Sequence, residues 1–205
     1  MKRRTFLLGT GSTALGGATL VSSSAFSGVV SKRETEIAVA HDEDAYVGLK
    51  RSNGPNRSYV DYDDKKHLRI RMNEDNPTEG GGTGVNSDSL SWFDALFYLC
   101  NQGKEPAKVF IMKKGEHPEQ VTFYHGGFSK GHEVVSGQKL DAGDCLVMGL
   151  YTQTKSIEAF SQLLEKALII AVAESAFDKN TRPERLVELV ELEGVDSDEW
   201  VLNGK

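Results

Sequence analysis

Short apolar runs, separated by Gly, Asn and Asp, make up most of the chain between residues 35 and 173. Some runs alternate apolar and polar residues, as residues 68–72 do, and this period of two is typical of a strand with one buried face. Others, such as residues 109–112, are continuously apolar and indicate strands inside a core. Short strands with turn residues between them predict an all-β protein, an antiparallel two-sheet β-sandwich.

The predicted strands cover residues 35–40, 45–49, 68–72, 96–100, 107–112, 120–124, 145–151 and 167–173. Turn residues at 101–104 lie between two strongly apolar runs, so residues 97–112 are expected to form a core hairpin. Residues 156–166 place Ile157, Phe160 and Leu164 at helical spacing. This spacing predicts one short helix inserted into the sandwich.

The chain opens with a charged start, an uncharged and mostly apolar stretch and a run of small residues, which is the layout of a cleavable export signal. Two arginines followed closely by an apolar pair resemble the twin-arginine variant, which exports folded proteins; the residues are Arg3, Arg4, Phe6 and Leu7. The stretch is glycine-rich and shorter than the roughly 20 apolar residues of a spanning helix. We therefore expect cleavage between Ala25 and Phe26 rather than a retained membrane anchor.

These patterns divide the chain into three parts. Residues 1–25 are the export signal, residues 26–176 the β-sandwich domain and residues 177–205 an acidic tail. Pro183 begins an apolar and acidic pattern over residues 183–192, which favours a C-terminal helix because Pro is well tolerated in the first turn. We expect residues 196–205 to be loosely held.

Charge narrows the class of function. The chain carries 30 Asp and Glu against 24 Lys and Arg, which argues against nucleic-acid binding because that binding needs a basic face. After the signal no apolar stretch is long enough to span a bilayer. We expect a secreted or cell-surface protein, and an acidic chain with a twin-arginine signal fits a salt-loving archaeon.

Two covalent modifications are open. Cys100 and Cys145 both lie in apolar runs, and an oxidising compartment permits a disulfide between them, whereas two buried thiols acting as small apolar side chains are the alternative. Asn56 begins an Asn-x-Ser sequon in a turn. It is a candidate for glycosylation on an exported chain.

The sequence holds no His-Glu-x-x-His motif. The closest approach to a metal cluster is His125, His132 and Glu133, which glycines separate. The acidic runs 42–44 and 61–64 lack the spacing of a calcium loop. We expect no catalytic residue, no cofactor and no metal site.

A series of different short motifs lies along residues 1–173, at 25–27, 37–39, 42–49, 85–89, 93–97, 101–103, 142–144, 163–164 and 168–171. In this order they resemble a family of haloarchaeal secreted proteins of unknown function, which is in turn similar to the TasA/camelysin group of surface and fibre proteins. The resemblance leaves the acidic tail unmatched. It implies a jelly-roll-like sandwich at the cell surface.

In fibre-forming members of that group, the N-terminus freed by signal cleavage inserts as a strand into the next subunit. Residues 26–40 suit such an exchange, because Ile37 and Val39 lie on one face of an alternating strand that needs a sheet partner. Strand addition gains affinity through main-chain hydrogen bonds. Pairing of Ile37 and Val39 within their own domain is the alternative, which the sequence alone slightly favours.

The leading hypothesis is a non-enzymatic cell-surface protein that serves as a filament or matrix subunit. Its partners would be further copies or other surface proteins, and the twin-arginine translocase during export. Residues 97–112 would form part of the acceptor sheet. The alternatives are an exported metallopeptidase of camelysin type and a monomeric carbohydrate-binding surface protein with Trp92 and Tyr124 as platforms.

Overall fold

The computed structural model describes residues 37–76, 80, 82–127, 131–176 and 200–204. The chain divides into two units, residues 1–38 and 39–205, and every element below belongs to the second. The described residues form strands and short 3-10 helices with no α-helix, which confirms the predicted all-β class. The signal residues Arg3, Arg4, Phe6, Leu7, Ala25 and Phe26 lie outside the described residues.

The described strands are β1 Val47–Arg51, β2 Val60–Tyr62, β3 Leu68–Ile70, β4 Leu90–Asn101, β5 Ala107–Lys114, β6 Val121–Gly127, β7 Gly131–Val134, β8 Ser136–Leu140, β9 Cys145–Gln153, β10 Lys166–Ala173 and β11 Val201–Leu202. The 3-10 helices are Pro55–Tyr59, Pro118–Gln120 and Glu174–Ala176. Every strand predicted after residue 40 has a counterpart. β2, β7, β8 and β11 are not among the predicted strands.

Within the described residues, the strands form antiparallel sheets of five, four and two strands. The five-stranded sheet has the order β1-β4-β9-β6-β7, and β2 pairs with β3 in the smallest sheet. In the four-stranded sheet, β5 pairs with β10 along one edge. β8 and β11 share its other edge: β8 pairs with β5 from Ala107 to Phe110, and β11 pairs with Met112 and Lys113.

The main core lies where side chains of the two larger sheets meet. Leu99 and Phe123 of the five-stranded sheet and Val109 and Ile111 of β5 are each at most 2% exposed and belong to one cluster. Burying a side chain of this size contributes about 1.5–3 kcal/mol. A sandwich-like arrangement follows, because one cluster draws on both sheets.

The predicted core hairpin over residues 97–112 is wrong. β4 and β5 are consecutive in sequence, but β4 lies between β1 and β9, and β5 belongs to the other sheet. Each strand is flanked on both sides within its own sheet. Continuously apolar runs suit such central strands, and residues 102–106 carry the chain from one sheet to the other.

The predicted helix over residues 156–166 is also wrong. Ser156 and Phe160 have positive φ values of 61° and 71°, which a right-handed helix excludes. The segment instead follows the loop after β5, because Glu116 and His117 donate main-chain hydrogen bonds to Gln162 O and Leu163 O. The predicted C-terminal helix at 183–192 lies outside the described residues.

A disulfide joins the ends of two central strands. Cys100 of β4 and Cys145 of β9 are directly opposite each other in the sheet, and their sulfur atoms are bonded. The Cα atoms are 4.0 Å apart. The bridge therefore fixes the start of β9 against the end of β4.

Candidate functional site

β10 is an edge strand of the four-stranded sheet. On one side its residues pair with β5 from Lys166 to Ala173, and no other strand in the described ranges pairs with it. One face packs near Phe110 and Met112, and Ile169 on the other face reaches the main core. The main-chain N–H and C=O groups on the outer edge of β10 therefore pair with no strand in the described ranges.

After Lys166 at its start, β10 contains none of the usual protections of an edge. Residues 167–173 hold no charged residue and no proline, and the pairing with β5 has no bulge. Exposed edges in natural proteins are generally blunted by charges, prolines or bulges, because an open edge is a template for another strand. The exposed side chains Ala167, Ala171 and Ala173 are small. An incoming strand would meet little steric hindrance there.

Residues 37–40, the described part of the predicted strand 35–40, form no strand. The Ile37 side chain is 90% exposed and the Val39 side chain 101% exposed. Apolar side chains of this size gain free energy on burial. Ile37 and Val39 are therefore apolar groups at alternating positions that pair with no described strand.

A second sheet edge, at the start of β6, is closed by side chains. β9 pairs with one edge of β6 from Val121 to His125, but β7 pairs with the other edge only from Tyr124 onward. The main-chain groups of Val121 and Phe123 on that edge therefore need other partners, because buried polar groups are costly without hydrogen bonds.

Asn203 provides most of these partners. Its Nδ2 donates to Phe123 O at 2.7 Å and to Val135 O at 3.0 Å, and its Oδ1 accepts from Phe123 N at 2.8 Å. Its own main-chain N donates to Ile111 O at 2.8 Å. Asn203 is 0% exposed, and the neighbouring Leu202 is buried. The expectation that residues 196–205 are loosely held is thus wrong for residues 201–203.

Lys113 closes the remaining position of the same edge. Its side chain is 0% exposed, and Nζ donates to Val121 O at 2.5 Å. Burial lowers the pKa of Lys113 to about 8, while the charge of Glu119 acts in the opposite direction. The sequence holds a signal for this residue, since Lys113 continues the inward period of two set by Val109 and Ile111.

His125 and His67 each lie beside a single carboxylate side chain. His125 and Glu133 are opposite each other on β6 and β7, with His125 Nε2 3.1 Å from Glu133 Oε2. His67 pairs separately with Asp63. A search of the described residues finds no group of three or more His, Cys, Asp or Glu side chains that could hold a metal ion.

Tyr124 is a core residue and not a surface platform. It is 0% exposed, and its hydroxyl donates to a carboxylate oxygen of Asp94. Burial, together with this hydrogen bond and the charge of Asp94, raises the pKa of Tyr124 far above its usual value. Trp92 is 43% exposed and stands beside Tyr151, with ring centroids 6.2 Å apart. Only Trp92 of the two proposed carbohydrate platforms is accessible.

Asn56 lies in the 3-10 helix Pro55–Tyr59 and faces β4. Its Nδ2, the atom that would carry a glycan, donates to Asp94 O at 2.7 Å. Glycosylation of Asn56 stays a prediction.

A shallow depression of roughly 290 Å³, part of it open solvent, lies nearby between Tyr59, Met72, Asn76 and Phe93.

Comparison of the chain with protein-family models and with curated proteins returns no match. Among the helices in the described residues, none has the length and apolar character needed to cross a membrane.

Proposed function

We propose that this protein is exported through the twin-arginine pathway and acts at the cell surface as a non-enzymatic structural subunit that self-associates by β-strand addition. The observation that carries the proposal is the open edge of β10. An edge that is free of bulges, and free of charge over residues 167–173, offers main-chain groups to an extended segment of another copy.

The donor in this proposal is the segment that contains Ile37 and Val39. Both side chains are almost fully exposed in the single chain, and they alternate as strand residues do. Pairing along β10 of a neighbouring copy would bury these side chains and supply the edge with partners. Cleavage of the export signal at Ala25 would give this donor segment a free end.

Charge supports the choice of β10 as acceptor over the edge strand β7 of the other sheet. Residues 167–173 of β10 are neutral, whereas β7 carries Glu133, which is exposed and paired with His125. A buried or partly buried charge opposes docking of an apolar strand. The acceptor sheet then contains β5, which covers the second half of residues 97–112, the part of the chain expected to contribute to the acceptor sheet.

The test is assembly of the mature chain beginning at Phe26. We expect filaments or large assemblies in electron microscopy and sedimentation. The double variant I37D/V39D should raise the concentration needed for assembly at least tenfold, because it places two charges on the donor face. The matched control I37V/V39I keeps both apolar β-branched side chains and should assemble like the wild type.

Two outcomes would contradict the proposal. One is a mature wild-type chain that stays monomeric at all accessible concentrations. The other is an I37D/V39D variant that assembles as readily as the I37V/V39I control. Circular dichroism and thermal melting of each variant establish that the folded domain is intact.

A further inference from the structure

Lys113 and Asn203 are diagonal neighbours on one face of the four-stranded sheet. Lys113 is directly opposite Val201, and Asn203 N donates to Ile111 O two residues away along β5. Residues two apart on a strand share a face, so both side chains point into the space between the sheets. Diagonal neighbours have Cβ atoms about 7 Å apart, which a long side chain can span.

The two side chains also end at the same place on the opposite sheet. Lys113 Nζ contacts Val121 O and Asn203 Oδ1 contacts Phe123 N, which belong to one edge of β6. Both residues are 0% exposed. The amine and the carboxamide therefore end at adjacent positions of one buried edge of β6.

Lys113 is poorly compensated as an ammonium ion. Its one side-chain hydrogen bond in the described structure goes to Val121 O, and the charge of Glu119 offsets only part of the effect of burial. A buried charge that is only partly compensated is unfavourable. Burial lowers the pKa of Lys113 to about 8, so about a tenth of the side chains carry a neutral amine at pH 7, and a neutral amine is a nucleophile.

We propose that Lys113 and Asn203 react to form an intramolecular isopeptide bond that fixes the Trp200–Gly204 segment to β5. The lone pair of Lys113 Nζ attacks Asn203 Cγ, and a C–N bond forms. A proton passes from Nζ to Nδ2, the Cγ–Nδ2 bond breaks, and ammonia leaves. No oxidant or cofactor is required, and the chain loses one NH₃.

The surrounding hydrogen bonds suit both the reaction and its product. The Phe123 N–H donates to Oδ1 and can stabilise the negative charge that develops there during attack. In the product, the amide N–H can still donate to Val121 O and Oδ1 can still accept from Phe123. When Nδ2 departs, Phe123 O retains the Val135 N–H, 3.2 Å away, whereas Val135 O loses the hydrogen bond from Nδ2. The reaction also removes a buried ionisable amine.

The test is the intact mass of the purified wild-type chain, denatured and reduced, with its N-terminus identified by peptide mapping. We expect a mass 17 Da below the value calculated from the sequence. K113R and N203A are the controls, because the arginine side chain stays protonated and alanine offers no carboxamide. Both should have their calculated masses.

Proteolysis locates the bond. Cleavage at the glutamates between residues 184 and 199 should leave the peptide containing Trp200 attached to the peptide containing Lys113 in denaturant. A wild-type chain with the calculated mass, or with a shift of +1 Da from deamidation, together with a free Trp200 peptide, would overturn the proposal. The decisive measurement is made on the wild type, so it does not depend on folding of a variant.

Discussion

Two sheet edges in this protein are treated in opposite ways. The edge of β6 at Val121 and Phe123 is buried, and side chains of Lys113 and Asn203 from the other sheet bind its main-chain groups. The outer edge of β10 has no partner among the described residues and no charge over residues 167–173. Both edges meet the same requirement, that main-chain polar groups be paired.

The difference shows that burial decides whether protein groups or water pair with the main chain at a sheet edge. At β6 water is excluded, so each main-chain group needs a protein partner, and the side chains of Lys113 and Asn203 supply it. At β10 water can solvate the edge of a single chain, so the edge can stay open until another strand replaces the water. A sealed edge stabilises the domain, whereas an open edge provides a place for association.

The largest expected effect is on the sealed edge. Compared with the unreacted Asn203 carboxamide, N203A removes the partners of Phe123 N and Val135 O and one of the two partners of Phe123 O. An unsatisfied buried group costs about 1–3 kcal/mol, so the free energy of unfolding should fall by about 3 kcal/mol in denaturant titrations. The control N53A alters an exposed asparagine and should change stability by less than about 0.5 kcal/mol. Equal values for the two variants would contradict the sealing role of Asn203.

A second effect appears in the pH dependence of N203A, whose Lys113 must remain a free amine. Burial holds the pKa of Lys113 at about 8 in the folded state, against 10.5 for an unperturbed lysine. Between these values the unfolded chain binds more protons than the folded chain, so stability rises with pH.

Denaturant titrations of N203A from pH 7 to 9.5 should show this rise, on the order of 2 kcal/mol. The double variant N203A/K113M lacks the amine and should lack the rise. The wild type should also lack it, because an amide at Lys113 does not titrate. A wild-type rise as large as that of N203A would count against the isopeptide bond.

The smallest effect on stability, and the most specific, is expected at the open edge. A171K adds a charge at an exposed position of β10 and should change the free energy of unfolding by less than about 0.5 kcal/mol. Assembly should nevertheless need a several-fold higher concentration, because charges on an edge oppose strand addition. Q153K is the matched control, since Gln153 is exposed but lies on the central strand β9. Equal loss of assembly in both variants would point to net charge rather than to the edge.

Local patterns predicted the strands well where alternation or apolar runs were long. β5, β9 and β10 were each expected within two residues of their observed bounds. The prediction of a helix at residues 156–166 is wrong because apolar residues at helical spacing also occur in a turn-rich connection that buries only some of them. There Leu163 and Leu164 pack on the core while Phe160 stays exposed.

The candidate site was predicted only in part. Alternation predicted a strand that contains Ile37 and Val39, but residues 37–40 form no strand in the single chain. Which edge of which sheet is open depends on the pairing of all strands. Asn203 carries no local signal, since Val201 and Leu202 form a strand of only two residues. Its importance comes from contacts with Ile111 and Phe123, which are distant in sequence.

The sequence by itself determined the all-β class and most strand positions, because alternation and apolar runs act through the local geometry of the strand. Only the tertiary structure decided that β4 and β5 belong to different sheets, that β10 has an open edge and that Lys113 and Asn203 meet at β6. These features depend on which strands become neighbours. That choice is made by the burial of the whole core and by the need to pair every buried main-chain group.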